Sequence, residues 1–236
     1  MAEVDFDGRV VHYTTSGQVV PGAPVLVFHH GQPGAALIPP DLAAAAHRHG
    51  LEVVMVSRPG YGPSERHAGR RVADAAADTA AVLAHVGAGE FVTAGWSGGG
   101  PHALACGALL APRCAAVAVL AGVAPYHGVP DLDFTAGMGP ENAAEFEALI
   151  AGDPSLEETI AAQCRHLATI TPAGVVDALG GLVSPPDVAA LQAGASGHIA
   201  ASMNLACERG HYGYWDDGIA FISPWGFDLS AITVPV

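Results

Sequence analysis

Ser97 stands in Gly95-Trp96-Ser97-Gly98-Gly99, a Gly-x-Ser-x-Gly spacing flanked by an apolar strand pattern from Phe91 and by a small-residue helix pattern running to Leu110. Those residue types at that spacing suit nucleophilic catalysis. A serine at the tip of a strand-to-helix reversal is held in strained φ/ψ, and flanking glycines are needed because a Cβ there would strike the crossing backbone. The reversal exposes the Ser97 hydroxyl and aims the N-terminus of the next helix at it, so the Gly98 N–H is a candidate donor to a developing oxyanion.

Two further segments must position that serine. Pro24 to Phe28 predicts a buried strand delivering the chain into His29-His30-Gly31-Gln32-Pro33-Gly34. Glu52 to Ser57 predicts a second, ending in Arg58-Pro59-Gly60-Tyr61-Gly62-Pro63-Ser64. The first loop resembles the H-G-x-P-G oxyanion loop of the α/β-hydrolase family. The second is similar to the R-P-G-Y-G-x-S loop of its proline-iminopeptidase-like and esterase-like members, and with Ser97 the motifs follow family order. The resemblance implies a serine hydrolase that opens an ester or amide bond, aminoacyl peptides included, through an acyl-enzyme on Ser97. The Gln32 and Gly98 backbone N–H groups would form the oxyanion hole, a small molecule would be the substrate, and no cofactor or metal would be needed. A serine rather than an aspartate at the elbow points away from epoxide-hydrolase and haloalkane-dehalogenase chemistry. Arg58, Tyr61 and His30 are expected as structural braces, and Trp96 as packing beside the pocket.

Composition narrows the alternatives. The chain has 236 residues, 50% hydrophobic and 14% charged, with a net charge of −14, which fits a compact domain. All nine cations are arginine. A phosphate-loop lysine, a pyridoxal Schiff base and a Ser-Lys dyad are thereby excluded within these residues. The acidic balance argues against nucleic acid or an anionic membrane as partner. The longest apolar run, Cys114 to Val123, is about half the ~20 residues of a membrane-spanning helix. The N-terminus lacks the basic and apolar regions of a signal peptide, so a cytoplasmic location is expected. Cys106, Cys114, Cys164 and Cys207 have no C-x-x-C spacing and are expected as buried thiols. His29-His30 and His47-Arg48-His49 lack metal-ligand spacing.

The elements predict an α/β architecture: a mostly parallel sheet with helices on both faces. A hairpin over Glu3 to Thr14, turning at Asp7-Gly8, opens the chain. Helices are expected over Pro40 to His49, Arg71 to Val86 and Gly98 to Leu110, and Ala115 to Leu120 as a strand buried on both faces. Consecutive helices follow, over Glu141 to Ala151 and from Asp153-Pro154 to about Thr169, with further starts at Thr171-Pro172 and Ser184-Pro185. This organisation divides the chain into a hydrolase core over residues 1–121, a helical cap over 122–229, and the start of a post-cap strand over 230–236. Tyr212, Tyr214, Trp215, Phe221, Trp225 and Phe227 are candidates to line a pocket or to anchor the cap.

In the family the triad continues as Ser…Asp…His after the cap. Here the chain ends at Val236, inside the expected post-cap strand, so the C-terminal strands with the acid and base are expected to be missing and activity to be weak. Asp131 or Asp133 as acid, and His127, His198 or His211 as base, are the substitutes on offer. The unpaired sheet edge left by such an ending would favour self-association. A non-catalytic protein of the same fold, binding a small ligand under the cap, is the competing class.

Overall fold

The structure, a computed structural model, describes residues 2–179 and 181–236. The chain opens with β1 (Ala2–Phe6) and β2 (Arg9–Thr15). They are joined by Asp7 at φ 53° and Gly8 at φ 71°, the two left-handed positions that a two-residue hairpin of matching twist requires. β3 (Val25–His29), β4 (Glu52–Val56), β5 (Phe91–Trp96) and β6 (Cys114–Leu120) complete a six-stranded sheet in the order β1-β2-β4-β3-β5-β6. β3 pairs in parallel with both β4 and β5, and β5 with β6, whereas β2 meets β4 antiparallel.

The β-branched and aromatic residues of the inner strands account for this sheet. Val25, Val27, Val54 and Phe91 are buried with Val82 and Leu83 in one core, and each such side chain contributes about 1.5–3 kcal/mol by leaving water. Helices α1 (Pro40–Arg48), α2 (Asp74–His85) and α3 (Gly100–Leu109) connect the strands. α2 starts three residues later than its apolar spacing suggests, because the Asp74 carboxylate accepts the Arg71 N–H at 2.7 Å and holds residues 71–74 as a turn.

After β6 come α4 (Pro140–Ala151), α5 (Leu156–Leu167), α6 (Pro172–Leu179), α7 (Pro185–Ala190), α8 (Ser196–Cys207) and α9 (Tyr212–Ile222). Gly152, at φ 68°, ends α4. α5 begins at Leu156 rather than at Asp153, whose carboxylate instead accepts the Ser155 N–H at 2.8 Å just ahead of the helix. A wide turn over Leu191–Ala195, bent at Gly194, leads α7 into α8.

β6 departs from the sequence expectation. Its apolar run suggests burial on both faces, yet Ala115, Ala118, Val119 and Leu120 are exposed, because β6 pairs on one side only and forms the sheet edge. Residues 230–236 form no strand. A single helical turn, Leu229–Ala231, is held by Asp228 accepting the Ser230 N–H, and the chain then passes β6, where the Val117 N–H donates to the Pro235 carbonyl at 2.9 Å. Val234 packs against the main core there.

Candidate active site

Parallel pairing brings the motifs together. His29 lies opposite Gly95 in the β3–β5 register, so the loop leaving β3 and the turn leaving β5 emerge side by side. Ser97 is the first residue after β5, half-buried, at φ 52°. A left-handed serine is strained by roughly 1–3 kcal/mol and persists only where the surroundings over-determine it. They do so through glycine. A Cβ on Gly95 would collide with the Gly99 carbonyl, and one on Gly99 with the His29 carbonyl, so β5, α3 and the β3 loop sit at backbone contact.

Gly98, Gln32 and Gly31 close around the serine. A Cβ built on Gly98 would stand 3.4 Å from the Gln32 nitrogen, and one built on Gly31 3.6 Å from the Ser97 Cβ and 3.2 Å from the Trp96 ring. The Gln32 side chain is turned elsewhere, its Nε2 donating to the Tyr214 carbonyl at 2.9 Å. Trp96 is half-exposed beside the serine.

Ser97 opens into a cavity of about 930 Å3 walled by the β3 loop, by Leu37, Pro39, Pro40 and Met55, and by the α7–α8 segment from Ala190 to Met203. Its lining is chiefly apolar and contains no arginine; besides Ser97 itself, its polar side chains include Asp41, Gln32 and His198. None of the six aromatics from Tyr212 to Phe227 lines it. Phe221 and Trp225 are buried in a cluster with Val72 and Ala105, and the Trp225 carbonyl accepts the Ala73 N–H, so the end of α9 is anchored to the body.

Beneath the β3 loop lies a buried charged cluster. Asp217, on α9, is fully buried and accepts from Arg58 Nη2 at 2.7 Å, Arg58 Nε at 3.1 and 3.2 Å, and Tyr61 Oη at 2.8 Å, and pairs with Arg70 Nη1 at 2.7 Å. Burial alone would raise the Asp217 pKa; the Arg58 and Arg70 charges overcome it and hold the carboxylate well below its ordinary range. Burial, and then the Asp217 charge, push the Tyr61 phenol well above its ordinary value, so it is a neutral donor.

Three histidines beside this cluster are kept neutral. Burial and the Arg58 charge push His29 down to about 3 and hold His30 and His102 well below their ordinary value. His30 Nδ1–H donates to the Gly31 carbonyl at 2.8 Å while Nε2 accepts the Arg58 N–H at 3.2 Å, so the ring has no free nitrogen for catalysis. His102 Nδ1–H donates to the Gly98 carbonyl at 3.0 Å.

Among the described residues, Ser97 Oγ has no hydrogen-bonded base. Of the substitutes considered from the sequence, His127 is exposed beside Tyr126 and His211 pairs with Glu157 at 3.1 Å. Asp131 and Asp133 are exposed. His198 alone of these lies in the Ser97 cavity, where burial lowers its pKa against a hydrogen bond to the Leu37 backbone. Sequence reasoning did not single out Asp217, Arg70 or Asp41. The one available signal for Asp217 was a carboxylate in the middle of an aromatic-rich helix. Among the described residues no group of three His, Cys, Asp or Glu is arranged to hold a metal ion, and no helix is long and apolar enough to cross a membrane.

Residues 24–166 match the family model for the alpha/beta hydrolase fold, and the chain belongs to that family. Membership supports hydrolase activity in general and a small-molecule substrate. Among solved structures, the chain is similar to the enol-lactonase from Burkholderia xenovorans LB400, with 19% identity and a TM-score of 0.64 over 99% of this chain and 78% of that one. It is also similar to a thermophilic esterase from Thermogutta terrifontis, with 18% identity and a TM-score of 0.60 over 100% and 78%. A third is the esterase EaEST from Exiguobacterium antarcticum, at 19% identity and a TM-score of 0.57 over 96% and 73%. At these identities the likeness concerns the fold. No curated protein sequence matches the chain.

Proposed function

We propose that this chain is a cytoplasmic serine hydrolase that opens ester or amide bonds through an acyl-enzyme on Ser97. The observation that carries the reading is Ser97 itself: a left-handed serine at the end of β5, facing the cavity, with Gly98 and Gln32 packed beside it. In this reading the Ser97 hydroxyl attacks the carbonyl carbon while the Gly98 and Gln32 N–H groups hold the oxyanion, and water then releases the acid. The α4–α9 segment acts as the cap over the substrate.

The cavity favours neutral, apolar acyl groups. Carboxylate or phosphate substrates would find no arginine in the wall and would meet Asp41. With no base hydrogen-bonded to Ser97 Oγ among the described residues, acylation is slow and is seen most readily with activated esters; the same observation favours, as a second reading, a protein that binds a small ligand without turning it over.

A fluorophosphonate probe and a p-nitrophenyl ester separate the two. The hydrolase reading expects stoichiometric labelling at Ser97 and slow ester turnover, both lost in Ser97→Ala. Absence of labelling, with a small apolar ester bound unchanged, would establish the binder.

A further inference from the structure

Arg58 divides its guanidinium between two tasks. One edge meets Asp217; the remaining donors go to the β3 loop, Nη1 to the His30 carbonyl at 2.6 Å and Nη2 to the Gly31 carbonyl at 3.0 Å. The Gly31 carbonyl therefore accepts from both Arg58 and His30 Nδ1–H. That carbonyl and the Gln32 N–H belong to one planar peptide and point in opposite directions. Two donors gripping the carbonyl beneath the loop turn the Gln32 N–H away from the charged cluster, towards Gly98.

A buried ion pair with two guanidiniums on one carboxylate is a poor way to gain stability. Desolvating the charges costs about what their attraction returns, and apolar side chains of the same volume would often serve as well. Fixing one peptide in one of two orientations is a task that apolar packing cannot perform. From these contacts we propose that Asp217 is a positioning residue for oxyanion binding. By anchoring Arg58 from α9, it holds the Gly31–Gln32 peptide with its N–H facing the cavity, so the seating of α9 and the state of the oxyanion hole are one event. The proposal rests on the hydrolase reading for its effect on rate, but not for its effect on the peptide.

Asp217→Asn keeps the shape and removes the anchor. Arg58→Lys keeps the buried charge and loses the fork that reaches carboxylate and carbonyls together. Asp216→Asn is the control, since Asp216 pairs with Arg66 at 2.9 Å and makes no contact with the β3 loop. In both anchor variants kcat for the activated ester should fall ~100-fold with KM nearly unchanged, because an oxyanion donor acts in the transition state. The Gln32 amide resonance should broaden or split as the peptide samples both orientations. Asp216→Asn should change neither. Should Asp217→Asn not fold, Arg58→Lys decides, its buried charges being unchanged. A folded anchor variant with a single, unshifted Gln32 resonance overturns the proposal, whatever its rate. A displaced resonance with unchanged Ser97-dependent turnover keeps the positioning role and sinks instead the reading in which this N–H stabilises charge.

Discussion

Gly98 and Gln32 face one another so closely that a Cβ on Gly98 would stand 2.9 Å from the Gln32 Cβ and 3.2 Å from the Phe221 ring. The two residues whose N–H groups are proposed to hold the oxyanion therefore form a single contact. Gly98→Ala should push the two apart. Overpacking of this kind costs about 1–3 kcal/mol, so the variant should still fold while ester turnover drops ~100-fold because the proposed donors are displaced from one another. Undiminished turnover in folded Gly98→Ala would show that the two N–H groups do not act together.

Ser97 carries backbone strain that its proposed role as nucleophile would justify. At φ 52° both serine and alanine are disfavoured and glycine is not. Ser97→Ala and Ser97→Gly should both abolish fluorophosphonate labelling. In urea unfolding, Ser97→Gly should nevertheless exceed Ser97→Ala by about 1 kcal/mol, after allowance for the greater unfolded-state entropy of glycine. Equal stabilities would mean that the turn is not strained.

The buried imidazoles make the fold acid-sensitive. His29 is pushed down to about 3, and His30 and His102 lie well below their ordinary value, whereas in the unfolded chain each titrates near 6.5. Below that pH the unfolded state binds protons that the folded state refuses, so stability is complete above about pH 7 and declines from ~6.5 towards 3. Each such group adds up to ~1.4 kcal/mol per pH unit below ~6.5 while its folded form stays neutral, so together they erode a margin of ~5–15 kcal/mol as the pH falls. Urea midpoints between pH 8 and 5 would measure it, and a flat profile from pH 7 to 5 would contradict burial of the neutral rings.

The edge strand offers a surface for self-association. Apart from the Val117–Pro235 bond, β6 pairs only with β5 among the described residues, and Val119 and Leu120 are 39% and 49% exposed; an apolar edge with free backbone groups is a template for a second strand. We expect concentration-dependent association by sedimentation, relieved in Ala118→Lys, which places a charge on the exposed side of that strand. A monomer at all concentrations in the unmodified chain would remove the idea.

What could be read along the chain was what neighbouring residues decide among themselves. The Gly-x-Ser-x-Gly spacing marks one kind of tight turn, and Asp7-Gly8 admits one kind of hairpin. Proline and glycine punctuate α4 because backbone sterics are local. These features place Ser97, Gly98 and Gln32 at strand ends without reference to the rest of the molecule. The partners of those residues are another matter. Asp217 lies 159 residues from Arg58, and nothing near either side chain announces the pairing, since a carboxylate on a helix is ordinarily solvated. The aromatics of α9 fit a pocket wall and an anchor equally well in pattern, and only packing decided: Phe221 is buried against the body, Tyr214 and Trp215 pack chiefly on α4 and α5, and Tyr212 is exposed. His198 reached the Ser97 cavity through the bend at Gly194. Whether an apolar strand such as β6 is buried or forms an edge depends on which segments pair beside it, a non-local choice that hydrophobic periodicity does not encode.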